Sequence, residues 1–366
     1  GVNKVQAPNV FSTVYARAYL DPRYSIMTML LNTYYKAAIT SPGLKYTVFM
    51  MPDDALAALG YGYNPANQQF TQTTNNQTTS GDIPKNNLKR LLDLNIVPAN
   101  IDGQTLTPAI LQGNGVAVTT NGEYIRWHNN QIASGANFEK NYTISLKVDA
   151  ASTPRTYSNG IIYYLKNDVT GANASLDFPL NNVEDGILAN GKVSGDPYYE
   201  FNQYLINSGA YNPAAKEVLG VQLGAHYTVF IPTKAALAQA VKDGVLPGTV
   251  TGGVVTFNYK PSTPQDQALV TKFMQYHILA ETIVPDGQKG GALGKGYPTL
   301  LKDETGKPKE IIVFNSGNGS DFQLEDGMAR YAHLTPTNYN SFFPATSDYL
   351  GNNVVYQQID NYLQSN

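Results

Sequence analysis

The 366-residue chain contains no cysteine. A disulfide framework, a thiol nucleophile, a thiolate zinc site and an iron–sulfur cluster are therefore all excluded. Charge is scarce as well, at 14% of residues against the roughly 25% usual in soluble chains. With 25 basic and 28 acidic residues the formal net charge is −3, and no basic stripe exists to release counterions from a phosphate backbone, so nucleic acid is not an expected partner. No stretch approaches the roughly eighteen consecutive apolar residues that a transmembrane helix needs. Missing cysteine rules out a secreted disulfide-dense domain, but not an envelope protein that folds on its core alone. The chain opens on Gly1-Val2-Asn3; a targeting segment upstream of it is expected, of which an N-terminal lipid anchor is one form.

What is present is self-similarity. Asp21-Pro22-Arg23-Tyr24 with Leu30-Leu31-Asn32 recurs as Asp196-Pro197-Tyr198-Tyr199 with Leu205-Ile206-Asn207, at an offset of 175 (196 − 21). Tyr46-Thr47-Val48-Phe49 recurs as Tyr227-Thr228-Val229-Phe230, offset 181 (227 − 46). Leu91 to Val97 recurs as Phe273 to Leu279, offset 182 (273 − 91), and Asn159-Gly160-Ile161-Ile162-Tyr163 as Asn352-Asn353-Val354-Val355-Tyr356, offset 193 (352 − 159). Four anchors in one order mean one domain duplicated. The growing offsets place insertions in the second copy, at Gly252 to Gln267 and Gly287 to Gly306. The expected division is a first domain at 1–172, a linker at 173–195 and a second domain at 196–366.

Each anchor has a local physical reading. Asp-Pro ahead of apolar residues starts a helix, because Asp accepts free first-turn amides and Pro gives up only a donor that had no partner. Ile26, Met29, Leu30, Tyr34, Ala37 and Ala38 follow at helical spacing. Thr47 to Met51 and Thr228 to Ile231 read as buried strands running into helices at Asp53 to Leu59 and Lys234 to Lys242. The third anchor carries a short helix, Leu88 to Asp93 or Leu269 to Tyr276, into a strand. The fourth is a turn and a strand. Gly113 to Lys147 and Glu310 to Leu334 alternate like hairpins. Each copy is therefore expected to be α+β.

At these residues the chain resembles the fasciclin (FAS1) family. Thr228-Val229-Phe230-Ile231-Pro232-Thr233 with Ala236-Leu237 is similar to that family's first motif; Thr47 to Leu56 is similar with its proline displaced by one position. Phe273 to Leu279 is similar to the Leu-Leu-x-Tyr-His-Val-Val motif, whereas the first copy has Leu94-Asn95 in place of Tyr-His. The closing motif is recognisable in both copies without its His. The resemblance implies two tandem FAS1-like domains, each a wedge-shaped β-sandwich of about seven strands edged by several α-helices. It also implies an extracellular or envelope setting, as a secreted protein or an outer-membrane lipoprotein, and adhesion through protein or glycan contacts. Carried over residue by residue, the family's Tyr-His motif points to Tyr276 and His277.

His277 at a helix-to-strand joint reads either as a ring hydrogen-bonded to backbone or as a contact residue. His128, His226 and His333 show no metal-ligand spacing, and neither Asn181 to Asp185 nor Asp321 to Asp326 has the spacing of a calcium loop, so no metal and no cofactor is expected. Asp53-Asp54 favours a helix dipole over proton sharing. Gly113-x-Gly115 lacks what a phosphate cradle needs, and no nucleophile motif occurs, so the chain is not expected to be an enzyme. The remaining candidates are aromatic. Tyr61, Tyr63, Tyr124 with Trp127, Tyr198-Tyr199 and Tyr339 are expected in or beside loops, where rings can stack on a sugar or anchor a protein. About a third of the 26 tyrosines are expected to face solvent. The sequons are Asn76, Asn141, Asn173 and Asn318. Two partners stay open: an extracellular protein or glycan bound in adhesion, and a glycan held for a bacterial uptake system with Trp127 and loop tyrosines as the stacking platform.

Overall fold

The structure, a computed structural model, describes residues 22–37, 43–100, 103–134, 144–145, 156–157, 160–165, 190–222, 225–317, 321–335, 349–350 and 354–366. Asp21, Asn159, Asn352, Asn353, Tyr339, the segment Asn181 to Asp185, three of the sequons (Asn141, Asn173, Asn318) and all of the expected linker but 190–195 lie outside them. The chain divides into two units, Gly1–Phe178 and Pro179–Asn366.

In unit 1 a 3-10 turn, Pro22–Tyr24, leads into α1 (Ser25–Tyr34). Then follow β1 (Tyr46–Met50), α2 (Asp53–Ala58), β2 (Tyr61–Asn64), β3 (Gln69–Thr74), β4 (Gln77–Ser80), α3 (Asp82–Leu94), β5 (Ile96–Pro98) and α4 (Pro108–Gln112). β6 (Asn114–Val118), β7 (Tyr124–His128), β8 (Gln131–Ser134), β9 (Ile144–Ser145), β10 (Thr156–Tyr157) and β11 (Gly160–Tyr164) close the unit. One sheet has the order β10-β11-β1-β5, a second β6-β7-β8-β9, and β2-β3-β4 form a third. Val48 and Phe49 of the first sheet share one apolar cluster with Ile125, Trp127 and Ile132 of the second and with Leu30 and Leu91 of the helices. That is a sandwich-like α+β arrangement, its core drawn from both inner faces.

Unit 2 repeats the plan. It runs α5 (Tyr199–Ile206), β12 (Tyr211–Asn212), β13 (Glu217–Val218), β14 (Tyr227–Pro232), α6 (Lys234–Lys242), β15 (Gly248–Thr251), β16 (Val254–Phe257), α7 (Pro264–Tyr276) and β17 (Ile278–Leu279). β18 (Gly291–Lys302), β19 (Pro308–Asn315), β20 (Gln323–Glu325), β21 (Tyr331–His333), β22 (Tyr349–Leu350) and β23 (Val354–Ile359) complete it. Here eight strands join into one sheet, β21-β20-β19-β18-β17-β14-β23-β22, through the pair Leu279 and Thr299. Short hairpins such as β12-β13 and β15-β16 stand outside it and raise the strand count above that of the sandwich alone.

The duplication is visible in the ladders. Thr47 pairs with Val97 and Val48 with Ile96, as Thr228 pairs with Leu279 and Val229 with Ile278. The last strand of each unit returns parallel to the central one, with Tyr46 opposite Gly160 and Tyr227 opposite Val354. That register equates Gly160 with Val354, one residue away from the motif alignment, because the alignment matches turn chemistry and the ladder follows hydrogen bonds.

Several boundaries differ from expectation for physical reasons. α3 and α7 begin one to two turns before Leu88 and Leu269, because their first turns are largely exposed and carry no apolar period; Thr263 caps α7 by accepting from Asp266 N at 3.2 Å. α1 buries Ile26, Met27, Leu30 and Leu31, with Met29 only partly covered. Its amide end is capped from another helix: Asp53 accepts from Ser25 Oγ at 2.5 Å and from Ile26 N at 3.0 Å. In unit 2 the α5 helix starts two residues after Pro197, and the Asp196 carboxylate closes a turn on Val193 N instead.

Candidate functional site

Tyr276 and His277 end α7, and both are inside. His277 has no solvent exposure. Leu363 N donates to its Nε2 at 2.9 Å, so the ring proton sits on Nδ1, which donates to Phe273 O at 2.7 Å. Burial pushes the imidazole pKa down to about 3, with the nearby Arg330 adding to the shift and the hydrogen bond to Phe273 opposing it. Its ring also stacks on Phe273 at 4.1 Å. The Tyr276 hydroxyl donates to Glu310 O at 3.1 Å and accepts from Gly327 N at 2.9 Å; burial pushes its pKa up to about 12. Both polar ends are committed to backbone, so this pair ties α7 to the loop before β21 and to the segment after β23.

The first copy does the same with another residue. Asn95 is the C-cap of α3 as His277 is of α7, is fully buried, and donates from Nδ2 to Leu91 O at 2.8 Å. Where sequence alone reads Leu94-Asn95 as a departure from the motif, the structure finds the same bond to the carbonyl four residues back.

The aromatic candidates were expected in or beside loops, and the structure moves them. Tyr61 and Tyr63 lie on β2, Tyr124 and Trp127 on β7, Tyr198 is the N-cap of α5 and Tyr199 its first residue. Tyr61, Tyr124 and Trp127 are buried at 6, 5 and 6% exposure. Trp127 faces Gly115 across the β6-β7 ladder and donates from Nε1 to Ile110 O at 3.0 Å. A β-carbon on Gly115 would come within 2.1 Å of the indole, which explains the glycine that composition left without a role. Among the described tyrosines only Tyr331 is exposed, at 48%. Six more, Tyr34, Tyr35, Tyr46, Tyr63, Tyr199 and Tyr259, are partly exposed, and buried ones find backbone acceptors inside, such as Leu165 O for Tyr24 and Pro247 O for Tyr204, both at 2.6 Å.

Of these six aromatics only Tyr63 and Tyr199 are partly exposed, and Tyr63 is the one that lines a cleft. Its ring stands edge-on to Phe70 at 5.2 Å and lines a cleft of about 380 Å³ between α1, the β2-β3 turn and the start of α3. Asn32, Gln68, Gln69, Asp82 and Lys85 supply its polar lining. Sequence reasoning named Tyr63 and missed the other five, since the three segments that meet here share no motif. Two further cavities, about 390 Å³ beside Lys45 and Thr107 and about 190 Å³ beside Asp243 and Tyr276, lack an open aromatic face. Among the described residues no cluster of His, Asp and Glu could hold a metal ion, and no helix is long and apolar enough to cross a membrane.

Matching central ladders, set in two four-stranded sheets in unit 1 and in one continuous eight-stranded sheet in unit 2, define a tandem pair of sandwich-like α+β units. The chain is similar to a solved FAS1 domain pair from the insect cell adhesion molecule fasciclin I, at 11% identity, 97% coverage of each chain and a TM-score of 0.32. A score that low lends the likeness no weight in argument, and the duplication stands on the two ladders. No family model matches the chain, and no curated protein matches it.

Proposed function

We propose that this chain is a non-enzymatic binding protein of the cell surface or extracellular space, acting in adhesion by holding a protein or glycan partner. The cleft beside Tyr63 supports this reading best. It combines an accessible aromatic ring, held edge-on by its cross-strand neighbour Phe70, with side-chain amides and charges that have few partners of their own. Tyr61, Tyr124 and Trp127 serve the site indirectly, as core residues of the same unit, whereas Tyr276 and His277 belong to the core of the other unit. The second reading, an accessory lipoprotein of a glycan-uptake system, is favoured by the polar character of the same lining, with Tyr63 keeping the stacking role expected of Trp127 and the loop tyrosines.

The test is attachment of the full chain to immobilised matrix proteins, envelope proteins and glycans. Capture of a partner that Tyr63→Ala weakens supports the reading. A chain that folds normally and holds nothing from any of the three groups overturns it.

A further inference from the structure

Resting on the binding reading above, we infer that the cleft beside Tyr63 takes a neutral glycan, contacting one or two pyranose rings. Four observations converge. The volume of about 380 Å³ falls at the small end of ligand clefts, which run from roughly 300 to 1,000 Å³. Tyr63 is held edge-on by Phe70 at 5.2 Å, so the ring is fixed before a ligand arrives. A fixed aromatic face suits the apolar C–H face of a sugar. Asn32, Gln68 and Asp82 are exposed, and none of their polar side-chain atoms makes a hydrogen bond among the described residues. Planar amides and a carboxylate are the groups that accept from and donate to adjacent hydroxyls in pairs. The cleft has one anion and one cation: Asp82 and Lys85 lie three residues apart on α3. Their charges cancel across the site, which leaves nothing to favour a phosphate, a sulfate or a uronic acid over an uncharged hydroxyl-rich ring.

The arrangement depends on a turn that only certain backbones make. Gln68 adopts a positive φ of 56°, and Asn67 Oδ1 accepts from Gln69 N at 3.2 Å, so the β2-β3 turn places both glutamines at the mouth of the cleft.

The experiment is calorimetric and NMR titration of the full chain with soluble tetrasaccharides of glucose, mannose and xylose, neutral in one set and with a uronic acid in the other. A neutral oligosaccharide is expected to bind. Tyr63→Ala should weaken it on the order of tenfold, about 1.4 kcal/mol, Tyr63→Phe should not, and Asp82→Asn and Gln69→Ala should each weaken it by a smaller factor. Asp82 and Gln69 are exposed, so those two variants keep the test valid if Tyr63→Ala disturbs the hairpin. Binding confined to the acidic sugars, binding that all three variants leave unchanged, or no binding to any neutral sugar each overturns the inference. A protein partner captured in the attachment assay alongside no sugar binding would overturn it while leaving the broader binding reading intact.

Discussion

The long helices of the two units end on different residues placed alike. Asn95 and His277 both close their helix at φ near −90° and ψ near 5°, with backbone angles of −94° and 6° in one and −91° and 4° in the other. Each donates to the carbonyl four residues back. The imidazole then does one thing the amide does not: its second nitrogen accepts from Leu363 N and so fastens the segment after β23. The Asn95 Oδ1 atom is buried and makes no hydrogen bond among the described residues. The difference teaches that a Tyr-His pair at this joint is foremost a helix C-cap with an added clip, and that a copy lacking the pair keeps the cap.

The sharpest way to separate the two caps is acid. An unfolded imidazole protonates near pH 6.5, whereas folded His277 does so only near 3. Between those values only the unfolded state holds the proton. Unit 2 therefore loses stability as pH falls from about 6.5 toward 3, by up to about 1.4 kcal/mol for each pH unit, and this group contributes no pH dependence above that window. Asn95 does not titrate, so the corresponding cap in unit 1 brings no such dependence. The sole tryptophan, Trp127, lies in unit 1 and reports its unfolding by fluorescence, while circular dichroism follows both units. His277→Asn should flatten the acid dependence of the dichroic transition and leave the fluorescence transition unmoved; a slope that persists in that variant would refute the assignment.

Truncation comes next. His277→Ala leaves Leu363 N and Phe273 O without their partner and opens a cavity, at a cost of about 3 kcal/mol in denaturant unfolding; Asn95→Ala, which gives up the bond to Leu91 O and a weak one to Met51 Sδ, should cost about half of that. Equal costs would mean that the clip to Leu363 adds nothing. Gly115→Ala drives a methyl into the Trp127 ring and should cost unit 1 about 2 kcal/mol, seen as a lower fluorescence midpoint. The smallest effect concerns the displaced proline. Thr233 caps α6 by accepting from Ala236 N at 3.2 Å, whereas the equivalent position before α2 is Pro52, which has no side-chain cap. Thr233→Ala should cost about 1 kcal/mol, and Pro52→Ala should remove no cap at all.

That displaced proline also shows how much was legible from sequence. The central strands, the helices after them and the duplication follow from β-branched runs, helix-start chemistry and spacing, all local signals. The use of Asp53 was not legible. It caps α1 from across the unit, and burial pushes its carboxyl up while the bonds from Ser25 and Ile26 pull it down. In unit 2 the same place is held by Lys234, paired at 3.2 Å with Glu200 in the first turn of α5. The polarity is exchanged, yet the contact between the two helix starts is kept. Nothing within either segment announces it. The cleft was half legible for the same reason: Tyr63 stands out as an aromatic between glycine and turn residues, but Asn32 and Asp82 reach it from helices some thirty and twenty residues away in the chain. The inward turn of Tyr124 and Trp127 was hidden because a strand beside a turn looks, in sequence, like the turn.

The parallel return of each last strand sets the order in which a unit can be assembled. Tyr46 waits for Gly160, 114 residues further on (160 − 46), and Tyr227 waits for Val354, 127 residues further on (354 − 227). Closing loops of that length is slow, since the entropy must be lost before the ladder repays it. During synthesis the apolar run Thr228 to Ile231 therefore stands with one edge open until almost the whole unit has been made, and an open apolar edge is a template for pairing with another chain. A cut just before Val354 would remove an inner strand of the sheet, with β14 on one side of it and β22 on the other. These units are thus poorly suited to release in fragments, and a stalled or clipped chain should aggregate long before it shows partial binding.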